Sequence, residues 1–178
     1  MPFTVFSWVF GLGAMCSLFL IYQQKERRKL LYCKLSADLC WVAHYLCLGA
    51  LGGAVPNFVG IFRELVFVKR EEKRWANSFL WPIFFILLNL SLGLLTISRP
   101  INLLPVTASI FVTVSLWLKN PTLTKIISIP VSLAFLIYDI FVCSYIGIVN
   151  ESIAICSIII SFINKKRKED NHEKRKNC

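Results

Sequence analysis

The chain has 178 residues, of which 56 % are hydrophobic and only 17 % charged, and its mean hydropathy is +0.63. That composition excludes an ordinary soluble domain of this length. The formal charge of +10 is spread over short clusters between apolar runs rather than gathered on one face, which argues against a nucleic-acid partner and for membrane lipid.

Apolar stretches fall at residues 3–22, 35–51, 54–68, 79–97, 105–118, 126–146 and 148–163. Seven transmembrane helices are predicted, several shorter than the roughly 20 residues of a full crossing. The opening MPFTVFSWVFGLG has no positive segment ahead of its apolar run, so the first helix is expected to stay in the mature protein rather than be cleaved as a signal.

Lys and Arg alternate between the connections. Five follow the first span (Lys25, Arg27, Arg28, Lys29, Lys34), four the third (Lys69, Arg70, Lys73, Arg74), two the fifth (Lys119, Lys125) and seven the last, whereas the opposite connections hold only Arg99. Cytoplasmic loops retain such charge. The expected topology is a multi-pass plasma (inner) membrane protein with its N-terminus outside and its C-terminus in the cytoplasm. The tail KKRKEDNHEKRKNC reads as a topology signal on a disordered end.

A shift of 94 residues brings Lys25 onto Lys119, Leu39 onto Leu133, Gly53 onto Gly147 and Val55 onto Val149. Helix and loop boundaries coincide under the same shift. The expected fold is therefore an all-α membrane protein in which two parallel three-helix repeats, residues 1–78 and 105–164, are joined by a connecting helix within 79–104 and followed by the basic tail 165–178. Parallel repeats are related by an axis along the membrane normal and can rock about a site between them.

Ionisable side chains in hydrocarbon cost several kcal/mol and mark pathways or partners. On the second span, Asp38, Trp41 and Tyr45 share a stripe at 100° per residue, with His44 beside it. Under the shift the counterparts are Ser132, Phe135 and Asp139 on the sixth span, with Tyr138 adjacent. Two facing seams, each with an acid and an aromatic, are expected to line a cavity. The third span adds Asn57 near its outer end and Arg63–Glu64 towards its inner end; Arg63 either snorkels to the headgroups or pairs with Asp38. His44 also has a plain structural reading, as a bundle histidine bonded to a backbone carbonyl. Asn89 and Gly93 suit close packing of the connecting helix, and Gly49, Gly52, Gly53 and Pro56 suit a tight turn at the start of the third.

Seven cysteines occur with no CxxC pair, and Cys33, Cys40 and Cys47, two turns apart, cannot close on one ion. No metal site or cofactor is expected. No phosphate loop, nucleophile elbow or HExxH occurs, so nothing in the sequence supports an enzyme.

The stretch KERRKLLYCKLSADLCWVAHYLCLGALGGAVPNFVGIFRELVF, with its basic loop, Trp-x-x-His-Tyr run, Gly-rich turn and Asn followed by Arg, resembles the YgjV-type bacterial inner-membrane family. SRPINLLPV and LIYDIFVCSYIG resemble that family's second half, so the likeness spans residues 20 to about 150. The three-plus-one-plus-three plan is similar to the PQ-loop and SWEET-like superfamily, which implies a transport-type fold and names no substrate. The Pro-Gln dipeptide of that superfamily is absent, and Pro130 near the start of the sixth span is the remaining hinge candidate.

Two functions are expected. One is a small-solute transporter or facilitator for an unknown small solute, with Asp38, Trp41, His44, Tyr45, Asn57, Arg63, Tyr138 and Asp139 on the substrate or proton pathway. The other is a non-transporting scaffold or receptor that docks a partner through its basic loops. A homo-oligomer is compatible with either.

Overall fold

A computed structural model describes residues 2–23, 26–118 and 121–176. Lys25 and Lys119, the first pair in the repeat alignment, lie outside the described residues. Seven α-helices form: α1 (Pro2–Gln23), α2 (Arg27–Cys47), α3 (Leu51–Val68), α4 (Leu80–Leu95), α5 (Leu103–Leu118), α6 (Pro121–Phe141) and α7 (Tyr145–Lys176). Short 3-10 turns occupy Lys69–Glu71, Arg74–Asn77 and Pro100–Asn102, and no strand occurs among the described residues. The fold is an all-α membrane fold. Leu51–Glu71 and Pro100–Leu118 are long and apolar enough to cross a bilayer unaided, and Val5–Leu18, Leu80–Leu95, Ile126–Phe141 and Tyr145–Ile160 are shorter apolar helices.

Several boundaries differ from expectation. α2 starts eight residues early, at Arg27, because the charged segment RRKLLYCK is itself good helix former. α6 stops at Phe141 instead of 146, because Cys143 takes a left-handed conformation, φ 55°, and ends the helix. Pro130 then lies ten residues into α6, not near its start, and Pro56 lies inside α3. The expected disordered tail is corrected to helix as far as Lys176.

The turns after α2 and α6 are the same motif. Gly49, φ 67°, and Cys143 are the only described residues with positive φ, and they are related by the 94-residue shift. In each, an amide reaches back five residues to close the helix: Ala50 to the Tyr45 carbonyl at 2.8 Å and Ser144 to the Asp139 carbonyl at 2.9 Å. Both have the Schellman pattern.

In the first repeat α2 packs between α1 and α3, and in the second α6 packs between α5 and α7. The repeats join where α3 meets α5 and where α7 meets α1, two contacts that the pseudo-two-fold exchanges. A ring of six helices results. α4 lies outside it, packed on α3 and α5; Gly93 admits Val106 closely, and Asn89 Nδ2 donates to the Val106 carbonyl at 2.9 Å. One end of the bundle carries the turns at Gly49 and Cys143 and is called the neutral end; the other carries the Lys- and Arg-rich connections and is called the basic end.

The surface is inverted relative to a water-soluble bundle. Phe58, Phe62, Leu87, Phe111, Ile140 and Ile160 are exposed, while Asp38, His44, Arg63, Glu64, Asn89, Thr113 and Asp139 are buried. Hydrocarbon accepts the first set, and only the bundle interior can satisfy the second. α2, the least apolar of the first three helices, is also the central one of its trio.

Candidate functional site

Near the neutral end, side chains of each repeat reach into the other. The Tyr45 hydroxyl donates to Asp139 Oδ1 at 2.8 Å, and the Gly53 amide donates to the Tyr138 hydroxyl at 2.8 Å. His44 Nδ1 lies 2.8 Å from the Ser7 carbonyl and Nε2 lies 2.8 Å from Ser144 Oγ. A carbonyl can only accept, so Nδ1 carries a hydrogen, and Nε2 is hydrogen-bonded to the Ser144 hydroxyl. His44 thereby ties α1 and α2 to the start of α7. Trp41 stacks on Tyr45, 5.7 Å between centroids and 27° between planes, and Tyr138 meets Tyr45 edge-on at 5.9 Å.

This closure depends on two glycines. A Cβ on Gly53 would stand 2.9 Å from both Tyr45 and Tyr138, and one on Gly147 would stand 2.3 Å from Asp139 Oδ2 and 2.6 Å from Ser144 Oγ. The aligned glycines of the two repeats thus make room for the groups that cross between them. Asp139 Oδ2 is buried with no hydrogen-bond partner.

From Tyr45 towards the basic end a cavity of about 630 Å³ opens between the repeats. Its wall follows the pseudo-two-fold. Leu18 and Val112 line it, and so do Lys34 and Ser128, each pair related by the 94-residue shift. Trp41 with Phe135 and Asn57 with Glu151 complete the series. Towards α1 and the lower part of α7 the lining is apolar, with Met15, Leu20, Ile153 and Ile158. The cavity thus lies between the two halves and takes four pairs of equivalent positions from them, while the rest of its lining comes largely from α1 and α7.

The four matched pairs tie the cavity to both repeats, and the comparison with known families accounts for nearly the whole chain: the Imp-YgjV family, described as a bacterial inner membrane protein, matches residues 5–169. The chain belongs to that family. No curated protein and no solved structure matches it.

In this member of the Imp-YgjV family a second polar cluster lies below the closure, between α2, α3 and α5. Lys34 is ion-paired with Asp38 on the same face of α2, and its ammonium is 4.0 Å from Glu64 Oε1. Arg63 donates to Glu64 Oε2 from Nε at 2.9 Å and to Oε1 from Nη2 at 3.1 Å, and Nη2 stands 3.9 Å from Asp38 Oδ2. Arg63 Nη1 reaches across to Thr113 Oγ1 of the second repeat at 2.9 Å. Two cations and two carboxylates balance there. Arg63 is buried and does not snorkel.

The eight predicted residues thus divide into groups. Trp41, Tyr45 and Asn57 line the cavity; Tyr45, His44, Tyr138 and Asp139 build the closure; Asp38 and Arg63 belong to the charge cluster. The expectation of two facing acid seams is corrected in one respect. Asp139 faces Tyr45, whereas Asp38 turns towards Lys34 and α3, because Lys34 one turn earlier on α2 offers a cation that the seam does not. Asn57 Nδ2 donates to the Gly53 carbonyl at 2.8 Å. Among the residues that sequence reasoning did not single out, Glu151 lines the cavity and Ser144 takes part in the closure; the shift itself points to Glu151, as the mate of Asn57. Among the described residues no cluster of His, Cys, Asp and Glu could hold a metal ion.

Proposed function

We propose that the chain is a multi-pass small-solute transporter or facilitator of the bacterial inner membrane, with the neutral end outside and the basic end in the cytoplasm. The carrying observation is the cavity of about 630 Å³ between the repeats, lined in part by equivalent positions of both and closed at the neutral end by bonds between them. Alternating access needs a central site and two bundles that can move about it. The closure supplies polar contacts that a rocking motion would break, while the cavity below it is bounded by Lys34, Ser128 and Ile158 towards the basic end. This arrangement corresponds to a state closed to the outside. The distribution of Lys and Arg supports the orientation.

The test is solute flux into proteoliposomes containing the purified full chain, with Gly147→Ala and Tyr45→Phe alongside. Flux that depends on the protein and changes in both variants supports the reading. A folded, correctly inserted protein that moves none of a panel of sugars, amines, amino acids and organic acids would overturn it in favour of a scaffold.

A further inference from the structure

The charges of the interior do not balance everywhere. Asp38 and Glu64 are matched by Lys34 and Arg63 within ion-pair distance. Glu151 and Asp139 have no Lys or Arg in such contact among the described residues. Asp139 faces Tyr45 in the closure; Glu151 faces the cavity. Its carboxylate accepts from Asn150 Nδ2 at 2.9 Å with the Ser132 hydroxyl also in reach, and Lys34 acts on it only from beyond ion-pair distance. Lys34, the other charged residue of the cavity wall, is already held by Asp38.

The aromatic wall lies on the same cavity. Trp41 and Phe135, equivalent positions of the central helices α2 and α6, both line it, and Tyr45 closes its upper end. A carboxylate without an ion-paired countercharge, beside aromatic faces and amides and inside hydrocarbon, is the environment that binds an ammonium group: the acid supplies the opposite charge and the rings the cation–π attraction. The repeat sharpens the point. Where the first half has the neutral Asn57, the second has Glu151, so duplication alone does not account for the charge.

We propose that the central cavity binds a small organic cation, a protonated amine or quaternary ammonium, with Glu151 as its countercharge and Trp41 and Phe135 as its aromatic walls. This rests on the reading of the cavity as a solute site and adds the class of solute. The apolar lining towards α1 and α7 accommodates the carbon skeleton. The same ammonium chemistry is carried by free amines and by the headgroup of phosphatidylethanolamine.

The test uses the purified full chain and three probes at constant ionic strength: choline, cadaverine and 3,3-dimethylbutan-1-ol, the uncharged isostere of choline. Ligands that bind only the folded state raise its unfolding temperature in a saturable way. Choline or cadaverine is expected to do so and the neutral isostere not, and Glu151→Gln is expected to weaken the binding by about tenfold or more, as for loss of a charged partner. Phe135→Leu, which keeps bulk but removes the ring, gives a second measure should Glu151→Gln fail to fold; it should weaken choline more than the isostere. Equal stabilisation by the isostere, unchanged binding in both variants, or no shift with either cation would overturn the proposal. Competition by phosphatidylethanolamine added to phosphatidylglycerol nanodiscs would assign the ammonium to a lipid headgroup, and its absence to a soluble amine. Cation binding without flux would sink the transport reading and leave the site standing; flux of an anionic or neutral solute that ignores Glu151→Gln would do the reverse.

Discussion

Tyr45 and Asp139 occupy the same position in the two repeats, 94 residues apart, and are hydrogen-bonded to each other at 2.8 Å. Only groups close to a two-fold axis can meet their own mates, so this bond locates the axis and closes the neutral end on it. Tyr45→Phe should destabilise the folded protein by about 1–3 kcal/mol, the range for a hydrogen bond to a neutral or charged partner. The double variant Tyr45→Phe/Asp139→Leu should recover part of that loss, since neither polar group is then left alone. Chemical or thermal unfolding in detergent reads both; a Tyr45→Phe protein as stable as the parent would mean that the bond holds nothing.

The glycines of the closure give a graded test of packing. In Gly147→Ala the new methyl would stand 2.3 Å from Asp139 Oδ2, and in Gly53→Ala 2.9 Å from two tyrosine rings, whereas in Gly13→Ala the nearest atom is Cys40 Sγ at 3.5 Å. Overpacking costs about 1–3 kcal/mol. Gly147→Ala and Gly53→Ala should therefore lower the unfolding temperature clearly, and Gly13→Ala should leave it nearly unchanged.

Arg63 joins the repeats from the other side, through Thr113. Arg63→Met should cost about 3–5 kcal/mol, because Glu64 is left buried beside an apolar chain. Adding Glu64→Gln should restore much of the stability. If the single variant unfolds like the parent, the cluster is not the clamp between α3 and α5 described above.

Cys143 takes the left-handed backbone conformation that Gly49 takes in the first repeat. A non-glycine residue there is strained by roughly 1 kcal/mol, so Cys143→Gly should be neutral or stabilising by up to about that amount. The exposed Cys143 thiol also reports orientation. In a variant whose other cysteines are replaced, a membrane-impermeant maleimide should label it from outside intact cells; labelling only after lysis would invert the proposed topology.

The elements that the sequence revealed best were those on which period and charge acted together. The seven helices, the two trios and the 94-residue offset were visible because apolar runs and basic clusters recur, and a bilayer leaves few alternatives to helices. The equivalence of the turns was half hidden: Gly49 signals a left-handed cap and Cys143 does not, since side-chain identity says little when the backbone is forced by the repeat. Lys34 reads as a loop charge when helix is sought from hydropathy, yet it lies inside α2 and captures Asp38, which removes that acid from the cavity. Glu151 was obscured for a different reason. It sits in VNES at the start of the expected span 148–163, off the stripes of the second and sixth spans, about 9 Å below the Tyr145 end at 1.5 Å per residue.

α4 packs on α3 and α5, so one of the two seams between the repeats is buttressed and, among the described residues, the seam between α1 and α7 has no such packing from it. The odd helix that keeps both trios pointing the same way therefore also gives the ring a spine. Like the covers of a book, the halves have their shortest tether along α4 and their free edge along α1 and α7, where the cavity wall is most apolar.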